Sequence, residues 1–402
     1  MPQGTDDHIG ARLADYRKLR GLTQSGLAQK AFVSRGTIAK VEAGLSPATP
    51  GIVAAASRAL HVPVDVLNGQ PYMSELQQDR LDAMIEPLTA ALDMYDLGPD
   101  PDITPRPVAA LAADVERLCE GTCATEYKGI GEALPGLMSE LTTAVGLASF
   151  GAERQRLAEL LAWTYWVAYE FAYRLGYHHL AAIALERMGW MGEQAQDPLL
   201  LALRLARRSS MLLRRGDNQM AERILERGHR LVEQADDPHA VPALAVGGSL
   251  HLAGAIAAAQ AKNKDSVEEY LKEAGAAAKR IGRDVPGVYW ASFGLTNVKH
   301  FEVATAVELG DLGAAVKEAR KLHFPAGHPP MRTGRYYIEM GRAYAQMGRY
   351  EKAEEQLHRA RKIAPQQARY HPLMRSTIGV LVRHQRRAPD GLVSLAGWVG
   401  MI

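Results

Sequence analysis

Apolar residues recur at intervals of three and four along most of the chain, the spacing that places them on one face of an α-helix. From Val108 onward this pattern is almost continuous, and alanine, leucine, arginine and glutamate dominate. We find no convincing stretch in which apolar and polar residues alternate as they do in a half-buried β-strand. The sequence therefore predicts an all-α protein.

One stretch interrupts the helical pattern. A helical segment from Met73 to Leu97 is followed by GPDPDITPRP (98–107), whose four prolines remove backbone donors and restrict the residues before them. We therefore predict an N-terminal domain (1–69), a helical and Pro-rich connector (70–107), a large helical domain (108–385) and a C-terminal tail (386–402).

Within the first domain, the pattern predicts two short helices joined by a tight turn over residues 22–44, LTQSGLAQKAFVSRGTIAKVEAG. Thr23 and Ser34 are good N-cap residues, so we expect the two helices to begin directly after them. The second helix should end near Ala43, because Gly44 tolerates the left-handed conformation that often follows a helix C-terminus.

These two helices expose a polar face. Four apolar residues at helical spacing can close a small core: Leu27, Ala28, Ile38 and Val41. The outward face then carries Arg35, Gly36, Thr37 and Lys40. This is the helix-turn-helix arrangement, in which the N-terminal part of the second helix meets base edges in the major groove of DNA.

Residues 9–69 resemble the lambda-repressor-like family, also called the Cro/C1 or XRE family, nearly from end to end. The family's first helix and the start of its second helix resemble IGARLADYRKLRGLTQ of this chain. The family's turn and recognition helix resemble VSRGTIAKVEAG. The last two helices are similar to GIVAAASRALHVPVDVLNG. The resemblance implies a five-helix DNA-binding domain.

The resemblance also implies roles for single residues. It places Thr23 and Gln24 close to phosphate and base, and it makes Arg17 and Glu42 an ion pair between the first helix and the recognition helix. Gly26 departs from the family, which has a better helix former there, and costs about 1 kcal/mol of helix propensity. The full set of expected DNA contacts is Thr23, Gln24, Ser34, Arg35, Gly36, Thr37 and Lys40.

Charge supports nucleic-acid binding by this domain. Residues 9–69 contain eight lysines and arginines against three acidic residues, whereas the whole chain contains 47 against 45. The basic excess therefore lies on the domain that would contact phosphate. The alternative is a small helical domain whose solvated basic face binds protein.

The C-terminal half of the chain repeats itself. Its clearest unit is YYIEMGRAYAQMGRYEKAEEQLHRARKIAP (336–365), which resembles a tetratricopeptide repeat at nearly every signature position. With weaker copies upstream, the second helices are anchored at Ala181, Ala221, Val267, Ala315 and Ala353. We predict five tandem helix pairs, after one or two further helices, stacked into a superhelix with a concave inner surface. The alternative is a generic helical bundle.

The first helix of each pair is expected to line the concave surface. In phase with the clearest repeat, the candidate ligand-binding residues are Trp166, Glu170, Tyr173, Arg174, Asn297, His300, Arg335 and Arg342. Asparagine can pair with a peptide backbone, arginine can clamp a carboxylate, and aromatic rings offer rigid apolar area. These residues could bind an extended peptide or a small acidic ligand. For the aromatic stretch 163–179, and also for Asn297, Arg335 and Arg342, the alternative is core packing.

An XRE domain followed by tetratricopeptide repeats resembles the RRNPP group of peptide-pheromone receptors. In that group a short peptide enters the concave surface and changes the relative placement of the DNA-binding domains in a dimer. The resemblance implies a homodimeric transcriptional regulator on a pseudo-palindromic operator that senses a quorum-sensing peptide or another small ligand. The alternative is a scaffold, in which the repeats recruit a protein and the helix-turn-helix domain only localises it on DNA.

Other functions find little support in the sequence. The chain has no Gly-rich phosphate loop, no HExxH and no GxSxG, so we expect no catalytic residue and no cofactor. Cys119 and Cys123 lack further ligands nearby and make a poor metal site, and two cysteines suggest a reducing compartment. We find no N-terminal apolar signal and no run of about 18 apolar residues, so we expect a cytoplasmic protein with no membrane partner.

Overall fold

The computed structural model describes residues 8–70, 75–384 and 389–401, and for residues 75–82 the backbone alone. The start of the predicted connector helix at Met73 lies outside these ranges. Among the described residues the regular secondary structure is helical, without a β-strand, and a single antiparallel bridge joins Val285 to Phe293. The all-α fold class is confirmed.

Five helices form the N-terminal domain: α1 (Ile9–Leu19), α2 (Gln24–Lys30), α3 (Arg35–Glu42), α4 (Pro50–Leu60) and α5 (Val64–Asn68). Their apolar faces meet in one core, which includes the four residues predicted to close it. The hydroxyl of Thr23 accepts from the amide of Gly26 and that of Ser34 from the amide of Thr37, so both predicted caps are present. Gly44 has a φ of +67°, as expected after a helix end.

The remaining helices are α6 (Glu75–Asp93), α7 (Val108–Ala124), α8 (Tyr127–Leu147), α9 (Ala152–Leu175), α10 (His178–Ala195), α11 (Pro198–Arg215), α12 (Asn218–Glu233), α13 (Val241–Gln260), α14 (Lys264–Ile281), α15 (Leu295–Leu309), α16 (Leu312–Ala319), α17 (Pro330–Gln346), α18 (Tyr350–Ile363), α19 (Pro365–Tyr370), α20 (Pro372–His384) and α21 (Asp390–Trp398). Five successive pairs run from α9–α10 to α17–α18. The helix α6, on the predicted connector, packs on α8 and α10.

The five pairs coincide with the predicted repeats. Each predicted anchor lies on a second helix and is at most 4% exposed: Ala181, Ala221, Val267, Ala315 and Ala353. Small residues at such positions let paired helices approach closely. At Gly341, for example, an added Cβ would lie 2.6 Å from Cδ2 of Leu357. The tetratricopeptide-like architecture is therefore confirmed.

The repeats close into a ring, which the sequence did not predict. The fifth pair packs back on the first helices of the domain, since α17 contacts α7 and α19 contacts α9. The side-chain oxygen of Gln366 accepts from the backbone amide of Lys128 at 3.0 Å. Met331 of α17 belongs to the same apolar core as the first two pairs. The inner surface is consequently enclosed by helices on all sides of the ring.

The N-terminal domain docks on this ring at two places. On one side α4 packs against α11, and Nη1 of Arg58 donates to the carbonyl oxygen of Arg215 at 3.2 Å. On the other side Nε2 of His384, in α20, lies 3.1 Å from the carbonyl oxygen of Leu45, just after the recognition helix. The domain therefore lies across one opening of the ring.

The predicted C-terminal tail (386–402) is part of the folded repeat domain where it is described. The helix α21 packs on α18 and α20, and Leu392 and Leu395 are fully buried in the core that they share. The sequence predicts a tail here because this stretch follows the last recognisable repeat.

One described helix, α13, is long and apolar enough to span a membrane, with a mean hydropathy of 1.6 over its most apolar stretch. This corrects the expectation that the chain contains no such stretch. In the structure 56% of that stretch is buried, and α13 packs on α11, α12, α14 and α15. Its position as the first helix of the third pair, packed against the second and fourth pairs, therefore accounts for its composition.

Two glycines of the N-terminal domain are expected to respond oppositely to replacement by alanine. A Cβ on Gly10 would lie 1.9 Å from the carbonyl oxygen of Val41, whereas one on Gly26 has no neighbour closer than 3.4 Å. We expect Gly10→Ala to destabilise the domain by about 1–3 kcal/mol through overpacking. Gly26→Ala should stabilise it by about 1 kcal/mol through helix propensity. Native-state hydrogen exchange of the α1–α5 amides in the full chain measures both, and a change of the same sign in the two variants would contradict the packing described here.

Candidate functional site

The outward face of the recognition helix α3 is open to solvent. Arg35, Gly36 and Lys40 are exposed, and Thr37 is half-buried. The hydroxyls of Ser34 and Thr37 lie 2.8 Å apart and hydrogen-bond each other. The structure therefore presents the long basic side chains of Arg35 and Lys40 at the surface, while the two hydroxyls stabilise the helix start.

The other predicted contacts, on α2, have partners inside the domain. Thr23 caps α2, and Nε2 of Gln24 donates to Oε2 of Glu42 at 2.9 Å. Arg17 donates to both oxygens of the same carboxylate, at 2.6 and 3.0 Å. The hydrogen bond with Glu42 raises the pKa of Arg17. These side chains join α1, α2 and α3; the resemblance implied the ion pair, but the bond from Gln24 was not foreseen.

The second candidate site is a partly open cavity of about 320 Å³ between the ring and the N-terminal domain. Its size lies at the lower end of the range for ligand pockets, roughly 300–1,000 Å³. Every lining residue that comes from the five pairs lies on a first helix, as predicted. Residues of α1, α4 and α5 close the opposite side. The helix-turn-helix domain is thus itself a wall of the cavity.

Six of the eight predicted ligand-binding residues line this cavity: Glu170, Tyr173, Arg174, Asn297, His300 and Arg335. Two do not. Trp166 is fully buried and packs edge to face on Trp163 at 5.9 Å, so core packing is the correct interpretation for these two rings. Arg342 is 1% exposed and instead holds Glu308, a wall residue, at 2.7 Å.

Several polar residues of the cavity were not predicted from the sequence: Arg207 and Arg214 on α11, Arg332 on α17, Gln367 on α19, and His371. The second repeat is too weak to fix the phase of α11. Gln367 and His371 follow the last repeat, and they reach the cavity because the ring closes. The signal that could have found Arg207 and Arg214 is their spacing of seven residues, which is two helical turns.

Glu170 lies at the charged centre of the cavity. Its carboxylate is 2.9 Å from Nη2 of Arg174 and 3.4 Å from Nε of Arg207. Burial opposes its ionisation, but the positive charges of Arg174, Arg207 and Arg332 prevail and hold its pKa below the ordinary value. Burial also lowers the pKa of Arg332 to about 10, and the charge of Arg207 contributes to that shift. One carboxylate therefore faces three guanidinium groups.

A second charged group lies where α15, α17 and the C-terminal helices meet. Nε of Arg335 donates to Glu339 at 2.5 Å, and Nε2 of His300 is 3.5 Å from the same carboxylate. Nη1 of Arg335 also lies 2.8 Å from Nε2 of His371. Burial lowers the pKa of His371 well below its ordinary value, and the charge of Arg335 lowers it further. His371 is therefore neutral beside Arg335.

The end of the N-terminal domain is fastened to the cavity wall through Gln70. Its side-chain oxygen accepts from Nη2 of Arg214 at 2.5 Å and lies 3.4 Å from Nε2 of His178. Gln70 is 9% exposed and follows the last helix of the domain directly. A change at Arg214 can therefore reach the helix-turn-helix domain through a single side chain.

The described residues contain no group of three or more histidines, cysteines, aspartates or glutamates that could hold a metal ion. Cys119 and Cys123 are buried free thiols on one helix. Burial raises the pKa of Cys119 well above its ordinary value and that of Cys123 to about 11. They are packing residues in the protonated state at neutral pH.

Family models match both ends of the chain. A helix-turn-helix domain model matches residues 8–68, and a tetratricopeptide repeat model matches residues 334–376. The chain joins an XRE-type helix-turn-helix domain to tetratricopeptide repeats. The two matches fall on α1–α5 and on the fifth helix pair, the two regions whose sequence patterns are clearest.

No curated protein sequence matches the chain. One similar solved structure is the crystal structure of Bacillus thuringiensis PlcR in complex with the peptide PapR7 and DNA. The similarity has 11% sequence identity and a TM-score of 0.27, and it covers 92% of this chain and 99% of that chain. A TM-score this low does not establish a shared fold, and no functional conclusion rests on it.

The buried histidines predict a loss of stability in mild acid. Burial lowers the pKa of His178 to about 3 and that of His371 well below 6.5, whereas both have ordinary values near 6.5 in the unfolded chain. Below pH 6.5 the unfolded state therefore binds more protons, and the free energy of unfolding falls with pH by up to about 1.4 kcal/mol per unit for each histidine.

Urea unfolding at pH 7.5, 6.5 and 5.5 measures this effect. His371→Gln should reduce the loss between pH 6.5 and 5.5, because the glutamine does not titrate. Glu170 and Glu339, whose pKa values lie below the ordinary range, do not contribute in this window. Equal stability at all three pH values would contradict the burial of neutral histidines.

Proposed function

We propose that this protein is a sequence-specific DNA-binding transcriptional regulator whose DNA binding is modulated by a ligand in the cavity. One observation carries the proposal: the helix-turn-helix domain has an open reading face on one side and forms a wall of the cavity on the other. A ligand in the cavity and DNA on α3 would thus contact the same five-helix domain.

The DNA-binding part rests on the exposed basic residues of α3 and on the basic excess of the domain. A homodimer would place two recognition helices in successive major grooves, about 34–36 Å apart, on a pseudo-palindromic operator. The operator contacts that we propose are Arg35 and Lys40, with Thr37, Gly36 and Ser34 beside them. Thr23 and Gln24 would take part through the start of α2, where their side chains already fix the helix.

The proposed ligand sensing rests on the contacts that attach the helix-turn-helix domain to the ring. The hydrogen bonds of Arg58, Leu45 and Gln70 with the ring are few; those of Arg58 and Leu45 are exposed, and that of Gln70 is part-buried. A ligand that binds the docked and the released arrangements with different affinity shifts their populations. The ligand would be a peptide or another small molecule, and the regulator would act in the cytoplasm.

Arg35 and Lys40 are expected to have distinguishable effects on DNA binding. Genome-wide mapping of bound DNA in the host provides operator sites, which are then titrated with purified protein. Arg35→Ala should cost about 1–3 kcal/mol and relax specificity at one base position. Lys40→Ala should weaken binding to all sequences and reduce the salt slope by about 1. Unchanged affinity and specificity in Arg35→Ala would refute the assignment of the reading face.

Weakening the attachment of the helix-turn-helix domain to the ring should change operator affinity, although no residue on the exposed face of α3 is altered. Arg214→Met removes the bond to Gln70, so we expect faster hydrogen exchange in α4 and α5. We also expect a change in operator affinity of at least about fivefold, the lower end of typical allosteric coupling. The control is Arg208→Met on the same helix, because Arg208 is exposed and pairs with Glu186 instead. If hydrogen exchange becomes faster but operator affinity does not change, the docking of the domain on the ring does not control DNA binding, and the prediction is wrong.

A further inference from the structure

The cavity wall has a local excess of positive charge. Seven arginines and three glutamates are among its lining residues. Glu339 is paired with Arg335, and Glu308 is paired with Arg342 behind the wall. The remaining glutamate, Glu170, lies among three further arginines (Arg174, Arg207 and Arg332), so their charge exceeds its own. Such an excess is unfavourable away from water, because a buried charge needs a counter-charge and hydrogen bonds.

Two of these three guanidinium groups have donors without a partner in the protein. Nε and Nη2 of Arg207 make no hydrogen bond, although Nε lies 3.4 Å from Glu170. Arg332 donates from Nη2 to the carbonyl oxygen of Ala291 at 3.0 Å, but its Nε makes no hydrogen bond. Arg174, in contrast, donates twice to Glu170. The free donors therefore belong to α11 and α17, on two sides of the ring.

Buried amide groups of the same wall also lack partners. Asn297 and Gln367 are each 2% exposed and line the cavity. Oδ1 of Asn297 and both side-chain polar atoms of Gln367 make no hydrogen bond in the protein. Buried polar groups are normally paired, so a cluster of unpaired ones around one cavity indicates a polar ligand. Amides supply both donors and acceptors, which suits amide or hydroxyl groups on that ligand.

We propose that the cavity binds a carboxylate ligand between Arg207 and Arg332, with Asn297 and Gln367 pairing with its other polar groups. The inference rests on the proposed function, in which this cavity is the sensing site. A carboxylate accepts two parallel bonds from a guanidinium fork and supplies the missing negative charge. Two sources carry this chemistry: a short peptide with a free carboxylate, and a small organic acid.

The test is the unfolding temperature of the full chain as a function of added carboxylate, with ionic strength held constant by sodium chloride. The probes are succinate and N-acetyl-tetraalanine with a free C-terminal carboxylate, and the same peptide as its C-terminal amide is the control. A ligand that binds only the folded state raises the unfolding temperature in a saturable way. We expect this response with at least one carboxylate probe and not with the amide.

Substitutions locate the response. Arg207→Gln and Arg332→Gln should each weaken the apparent affinity about tenfold or more, since each removes charge-assisted bonds. Arg207→Lys keeps the charge but not the fork, so it should fall between Arg207→Gln and the wild type. The matched control, Arg208→Gln, changes the exposed neighbour and should leave the response intact. Without added carboxylate, Arg207→Gln should unfold at the same or a higher temperature, which a purely structural role of Arg207 does not predict.

Each outcome has a defined meaning. A stronger response to the peptide than to succinate identifies a peptide source, and the reverse identifies an organic acid. No saturable response to either probe, or an unchanged response in both Gln variants, overturns the carboxylate site.

Operator affinity is measured on the same samples. If carboxylate binds saturably but leaves operator affinity unchanged, ligand modulation fails while the carboxylate site stands. If the carboxylate site fails while Arg214→Met still changes operator affinity, the proposed function stands.

Discussion

The buried carboxylate of Glu170 is the interaction on which the arrangement of the repeat domain depends most. Arg174 comes from its own helix, Arg207 from the second pair and Arg332 from the fifth. The carboxylate therefore attracts parts of the chain that lie far apart in sequence, at the place where the ring closes. Removing it would leave three half-buried cations without their shared counter-charge, which is costlier than losing an exposed ion pair. Ring closure in turn encloses the cavity.

The helix α11 connects the charged residues of the cavity with the helix-turn-helix domain. Arg207 and Arg214 lie two turns apart on one face of α11, so about 10 Å of helix separates the charged centre from the group that holds Gln70. If α11 shifted so that Arg207 came closer to a bound anion, Arg214 would move with it. The carbonyl oxygen at the end of the same helix, which accepts a hydrogen bond from Arg58, would move as well. A rigid helix that touches both the cavity and the domain would be a physical means of the coupling that we propose.

Local signals predicted the helices well, because they depend on residues close in sequence. The caps at Thr23 and Ser34, the glycine at 44 and the five repeat anchors follow from helix-end chemistry and from close packing within a pair. Six of the eight candidate ligand residues line the cavity, because the phase of a first helix fixes which side faces inward. Trp166 and Arg342 do not line it. The phase of a first helix shows that a residue faces inward, but it does not show whether that residue packs in the core or lines the cavity. Ring closure, the docking of the N-terminal domain and the role of α21 depend on contacts between distant segments, for which no local pattern exists.

Buried polar atoms without a protein partner occur at several places in the repeat domain, and one group of them lines the cavity. In the N-terminal domain the buried polar groups are paired, since Asn68 donates to Gln70 and Glu42 accepts from both Arg17 and Gln24. In the cavity, by contrast, Arg207, Arg332 and the nearby amides keep hydrogen-bonding atoms without partners. A sequence selected for stability alone would replace such groups with apolar residues, since a buried charge cluster is seldom worth more than good packing. The carboxylate site that we propose would account for the unpaired groups of the cavity wall, which stable packing alone does not explain.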